Sequence, residues 1–162
     1  MQIITIGDPV LREKSATVDG VLDDTTVLIQ DMFRLMRAER GIGLAAVQIG
    51  RLMRVFITHV PDDVPRIFIN PELTETSIEE GMFEEGCLSI PGTTADVKRP
   101  LGIRIQAWTE KEKPFVLNVD GLLARVIQHE NDHLDGLLFV DRVDPKKTKK
   151  RASDETGGKL QL

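Results

Sequence analysis

The stretch that decides this chain is Gly121-Leu122-Leu123-Ala124-Arg125-Val126-Ile127-Gln128-His129-Glu130-Asn131-Asp132-His133-Leu134-Asp135-Gly136. Leu122, Val126, His129 and His133 recur at helical spacing, and Leu123, Ile127, Glu130 and Leu134 form the neighbouring stripe. The pattern predicts a helix over roughly 121–135 with Gly136 as its stop. Arg125, Gln128 and Asp132 fall off both stripes. His129, Glu130 and His133 therefore face inward with the apolar residues. Two imidazoles four residues apart lie on one helical face, one turn apart, and can share a divalent metal. Glu130 between them is placed to act as general base on a metal-bound water. Packing alone explains the set poorly, because burying polar groups without partners costs several kcal/mol. Only three histidines occur in the chain, and this motif holds two of them.

Two histidines leave a catalytic metal site one protein ligand short. His59, a carboxylate and Cys87 are the candidates. His59 adjoins Val60-Pro61-Asp62-Asp63 and reads as a residue of an exposed surface loop. Cys87 lies in Glu84-Glu85-Gly86-Cys87-Leu88-Ser89-Ile90-Pro91-Gly92, beside turn residues rather than within a periodic apolar run. A lone cysteine is commonly a small buried hydrophobe; here its thiolate would add a soft anionic ligand.

With 162 residues, the length fits one domain. The net charge of −5 and the scarcity of aromatic residues argue against a nucleic-acid surface. No apolar run is long enough for a transmembrane helix, and the N-terminus carries no signal-peptide pattern. A single cysteine rules out an internal disulfide and fits a reducing compartment, the cytoplasm. Asp23-Asp24-Thr25 offers caps for a first helix over roughly 25–39, which Gly41 can end. Strand-like runs are Arg54–Thr58, Arg66–Asn70, Gly102–Trp108 and Phe115–Val119. Residues 1–145 read as the catalytic domain. Residues 146–162 read as a basic, then polar, largely mobile tail with no assignable helix or strand.

Three segments then converge: Gly41-Ile42-Gly43-Leu44-Ala45-Ala46-Val47-Gln48, Glu85-Gly86-Cys87-Leu88-Ser89 and Gln128-His129-Glu130-Asn131-Asp132-His133-Leu134. In order and spacing they resemble the three signature motifs of peptide deformylases, and the similarity runs from about residue 2 to 143. Val47 stands where many members carry proline. The resemblance implies a small α+β domain of antiparallel β-sheets packed around a central metal-binding helix. It implies one divalent metal held by Cys87, His129 and His133, commonly ferrous iron, with zinc, nickel or cobalt as alternatives. Glu130 would be the general acid/base, with Gln48 and the Leu88 backbone N–H stabilising the oxyanion. The implied activity is removal of the formyl group from the N-terminal formyl-methionine of newly made proteins.

Such chemistry needs an apolar pocket for methionine. Ile42, Leu44, Phe83, Leu122 and Val126 are its natural lining, each of which would also serve as core. Arg99 is a candidate peptide contact, with a solvated surface arginine as the alternative. Gly41-Ile42-Gly43 lacks the rest of a phosphate-binding loop; glycine at 43 instead lets backbone pass close to substrate, which could pair there as an added strand. Lys146, Lys147, Lys149, Lys150 and Arg151 could give transient ribosome contact, and a monomer is the default state. Three competing functions stand beside this reading. A metallopeptidase would need a downstream ligand such as Asp135, Asp141 or Asp144. A structural metal module would need a fourth protein ligand. A cysteine hydrolase using Cys87 would keep its activity under chelation.

Overall fold

The computed structural model describes residues 1–151 and 161–162. Helix α1 spans Asp23–Ala38 and helix α2 Gly121–Leu134. The first sheet comprises β1 (Gly43–Ala45), β2 (Val55–Thr58), β3 (Arg66–Thr76), β6 (Gly102–Trp108) and β7 (Pro114–Asp120), hydrogen-bonded in the order β1-β2-β3-β6-β7. The second holds β4 (Glu80–Cys87), β5 (Ile90–Pro100) and β8 (Lys149–Lys150), in the order β4-β5-β8. Every strand pairing is antiparallel. This is the expected α+β arrangement, with α2 packed between the sheets.

Alternation along β6 and β2 carries the core. Ile103, Ile105 and Ala107 point inward on β6, and Phe56 on β2 stacks on Phe68 with ring centroids 4.6 Å apart. This cluster receives Ala124, Ile127 and Leu134 of α2. A second cluster packs Ile29, Met32 and Met36 of α1 against Leu44, Val55 and Ile57.

Helix α1 starts two residues earlier than its sequence suggested. Leu22 is the N-cap, without a side-chain cap, so Asp23 and Asp24 sit inside the first turn and act on the helix dipole. At the other end Arg40 takes the left-handed conformation (φ 58°), and the N–H of Gly41 bonds to the carbonyl of Met36 at 2.8 Å. The stop is thus a Schellman motif with arginine, not glycine, in the left-handed position. Gly41 is needed for another reason: a Cβ there would stand 2.8 Å from Leu88 Cδ1.

Helix α2 is buried on nearly every side, including the three polar residues that fell off its apolar stripes. The β4–β5 hairpin covers that face and satisfies it. Arg125 donates to the carbonyls of Val97 (2.8 Å) and Gly81 (2.9 Å), and Gln128 donates to the carbonyl of Pro100 (3.0 Å). Periodicity separates apolar from polar residues, but it cannot tell a solvated polar face from one met by buried partners.

The start of the basic segment is ordered rather than mobile. Pro145–Lys147 is a short 3-10 turn capped by Asp144, and Lys149–Lys150 pairs with Thr93 and Thr94 of β5. Lys149 also reaches Asp96 at 3.2 Å, and Arg151 pairs with Glu84. Acidic side chains on the hairpin thus draw in a stretch whose charge suggested solvation. The rest of the expected tail, residues 152–160, lies outside the described residues.

Candidate metal centre

Three chain segments meet at one point. Helix α2 brings His129 and His133, whose rings are 5.1 Å apart edge to face. The β4–β5 hairpin brings Cys87 at its turn, with Sγ 3.4 Å from Nε2 of His133. One ligand atom from each of Cys87, His129 and His133 lies within 4.8 Å of the others, and all three residues are buried. Among the described residues, His59 and the downstream aspartates are absent from this cluster, and of the three candidates it is Cys87 that stands beside the histidines.

The fit to a cation shows in what is left unpaired. Among the described residues, Nε2 of His129 is buried without a hydrogen-bond partner, as are both carboxylate oxygens of Glu130. Buried polar atoms are ordinarily paired, so a vacant imidazole nitrogen beside a thiol and a second imidazole marks a ligand position. Nδ1 of His129 lies 2.8 Å from Oε1 of Glu85, which fixes the ring and aims Nε2 into the site.

Glu85 anchors a buried network. Arg99 donates to both of its oxygens (2.7 and 3.0 Å), and Arg125 adds a bond of 3.0 Å. Arg99 also reaches Asp132 at 2.8 Å, and Arg142 clamps Asp132 at 2.6 and 2.7 Å. Burial would raise the Glu85 pKa, but the bonds from His129 and Arg99 outweigh it and hold the carboxyl well below the usual range. Glu130 behaves oppositely. Burial, then the charge of Glu85, push its pKa well up, and Arg99 offsets only part of this. Burial and the charge of Glu130 push the Cys87 thiol up, and burial pushes His133 down. A divalent cation bound here would reverse this for the thiol, because a coordinating thiol is deprotonated.

The Gly-rich strand supplies the other wall. A Cβ on Gly43 would stand 2.8 Å from Val126 Cγ1 and 2.9 Å from Cδ of Glu130, so only glycine lets β1 run this close to the carboxylate. Past it, Ala46–Ile49 forms a 3-10 turn that buries Val47 and Gln48. Oε1 of Gln48 accepts from the N–H of Ala45 (2.9 Å), so Nε2 faces Cys87 Sγ (3.6 Å) and Ser89 (3.1 Å).

The expected pocket residues divide. Ile42, Leu122 and Val126 do come together, with Val60, Leu123 and Leu162 beside them. Leu44 instead points into the α1 core, because strand alternation turns it away from the face of Gly43. Phe83 is 42% exposed, its ring under the Arg125 guanidinium at 5.7 Å, one helical turn before His129. Arg99 is neither a solvated arginine nor a contact at the cleft. It shares the inward parity of Ala95 and Val97 on β5 and is 2% exposed beneath the histidines. A charged residue in a strand reads as solvent-facing when its acidic partners lie far away in sequence. Phe139, stacked near His129 at 6.1 Å, and Arg142 gave no signal in the sequence.

A thiol and two imidazoles on one point, with a buried carboxylate beside them, define the open metal site of a hydrolase rather than a closed structural site. A family model described as polypeptide deformylase matches residues 1–149. A peptide deformylase of Treponema pallidum is 47% identical over 147 residues, covering 91% of this chain and 90% of the relative. Peptide deformylase 1 of Clostridium perfringens is 47% identical over 135 residues, covering 83% of this chain and 91% of the relative. Among solved structures, the Synechococcus elongatus peptide deformylase in complex with actinonin superposes with a TM-score of 0.87 at 39% identity, covering 90% of this chain and 82% of that one. The Thermotoga maritima peptide deformylase gives 0.86 at 36% identity, covering 89% and 97%. The chain belongs to the peptide deformylase family, the hydrolases that remove the N-formyl group from nascent peptides.

Proposed function

We propose that Glu130 is the general acid/base of the reaction and that Gln48 and the N–H of Leu88 stabilise its oxyanion. The observation that carries this reading is the buried Glu130 carboxylate, without a hydrogen-bond partner among the described residues, beside the converging Cys87, His129 and His133. A divalent cation held by those three ligands would supply Lewis acidity, lowering the pKa of a bound water and polarising the formyl carbonyl. Ferrous iron is the working metal in this reading, and the same thiolate and imidazole donors accept zinc, nickel or cobalt.

Burial and the charge of Glu85 raise the Glu130 pKa above the ordinary carboxyl value. Its carboxylate oxygens, buried beside the ligand cluster and free of other hydrogen bonds among the described residues, would take a proton from the attacking water and return it to the departing amine nitrogen. Gln48 is locked by Ala45 with its amide N–H bonds toward Cys87, the side on which negative charge develops. Gly43 lets β1 lie directly against Glu130, and Ile42, Leu122 and Val126 receive the methionine side chain. Residues 1–145 form the catalytic unit, extended by the pairing of β8.

The substrate is the formyl-methionyl N-terminus of a nascent chain. The protein acts as a monomer in the cytoplasm, and no helix among the described residues is long and apolar enough to cross a membrane. Exposed Lys146, Lys147 and Lys150 are available for transient ribosome contact. The deciding experiment is formate release from a formyl-Met peptide by anaerobically prepared protein of known metal content. Glu130→Gln and an acetyl-Met peptide are run in parallel. Loss of release in Glu130→Gln at unchanged metal content, with none from the acetyl peptide, supports the assignment. Release that persists in Glu130→Gln overturns it.

A further inference from the structure

The segment Gln161-Leu162 lies in the cleft that the preceding reading gives to substrate. The main-chain N–H of Ile42 donates to the carbonyl of Gln161 at 2.9 Å, and Gly41 forms a parallel bridge with Gln161. One residue on, the N–H of Leu88, assigned above to the oxyanion, donates to the main-chain oxygen of Leu162 at 3.2 Å. The Leu162 side chain is 1% exposed and clusters with Ile42, Val60 and Val126, against which the partly buried Leu122 and Leu123 pack. An apolar side chain in the pocket, a backbone carbonyl on the glycine-rich strand and an oxygen on Leu88 are the contacts a peptide would make there.

The geometry points to Gln161-Leu162 as a tethered, peptide-like competitor that occupies the cleft in cis and must leave before substrate binds. The inference rests on the reading of this cleft as the peptide site. Leucine is unbranched at Cβ and close in volume to methionine, so it fits a methionine pocket with little strain. It carries no formyl group, so nothing it offers can be hydrolysed as substrate is. Arg151 is held by the carbonyl of Gly92 at 2.7 Å, and the ten residue steps from there to Gln161 span at most roughly 33–36 Å. A competitor of this kind raises KM and leaves kcat alone, since it vanishes at saturating substrate.

The test compares the full chain with a chain lacking residues 160–162 and with Leu162→Asp in the intact chain. Deformylation kinetics, thermal unfolding and hydrogen exchange at the Ile42 and Leu88 amides are measured on each. Expected are a two- to tenfold fall in KM at constant kcat in both variants and faster exchange at both amides. The free peptide Lys-Leu-Gln-Leu should inhibit the shortened chain competitively. Equal KM and equal exchange in all three proteins would overturn the inference. So would a fall in kcat/KM with a lowered Tm, which would make the segment a structural wall of the pocket. If no form releases formate, the deformylase reading of the cleft fails, while amide exchange still reports whether the segment docks.

Discussion

Replacing Gly43 with alanine separates what the site needs for stability from what it needs for chemistry. The added Cβ would stand 2.9 Å from Cδ of Glu130 and 2.8 Å from Cγ1 of Val126, and closer still to Oε1 of Glu130. Ordinary contact begins at 3.4 Å, so the carboxylate carbon must retreat by 3.4 − 2.9 = 0.5 Å and the valine methyl by 3.4 − 2.8 = 0.6 Å. Both belong to side chains, so the stability loss should stay near the low end of the roughly 1–3 kcal/mol typical of overpacking. Catalysis is less tolerant. Productive groups must be held within about 0.5 Å, and a misplacement of about 1 Å can cost about 100-fold. We expect kcat for formate release to fall about 10- to 100-fold, with metal content unchanged and the protein still folded at assay temperature. Steady-state kinetics, metal analysis and urea unfolding on one preparation measure all three. A kcat within threefold of wild type would refute the claim that glycine is required here by the Glu130 carboxylate. Loss of the metal would place the fault in the ligand shell instead.

Arg99→Met should destabilise the fold by about 3–5 kcal/mol in urea, because it leaves Glu85 and Asp132 buried with one cation fewer each. Removal of the metal by a chelator should abolish formate release, which zinc or ferrous iron restores; activity that survives chelation would favour a Cys87 nucleophile instead. For Asp141, burial raises the pKa, but hydrogen bonds from Arg12 and the N–H of Leu138 bring it below the ordinary 3.8. A depressed folded-state pKa contributes stability above the unfolded-state value and loses it as pH falls through the folded-state value. The stability gap between wild type and Asp141→Asn should therefore be full at pH 7 and shrink below about pH 4; a gap independent of pH would exclude this ion pair as its source.

Helix α2 was legible because its code is local. Hydrophobic spacing sets which side faces inward, and two histidines one turn apart need no knowledge of the rest of the chain. The strands Gly102–Trp108 and Pro114–Asp120 were legible for the same reason, with alternation and turn residues at both ends. The long hairpin β4–β5 was not, because its inward positions include Glu85 and Arg99, which break the apolar alternation a strand usually shows. Those two charges satisfy each other across the hairpin, a pairing invisible until the strands are in register. Arg99 reads as exposed in sequence for that reason, and the parity of Leu44 stays hidden because a three-residue strand is too short to show it.

By itself the sequence pointed to the family: a cysteine, two histidines and a glutamate in spacings that resemble the deformylase motifs, the last three on a helix whose apolar stripes turn them inward. Tertiary structure alone decided how those groups are held. It placed Glu85 behind His129, set Arg99 and Arg125 against Glu85, and turned Leu44 into the α1 core. It also laid Gln161-Leu162 in the cleft. The division follows from range. Helical phase is set by neighbours three and four residues away, whereas a buried ion pair or a docked segment depends on partners that only the folded chain brings together.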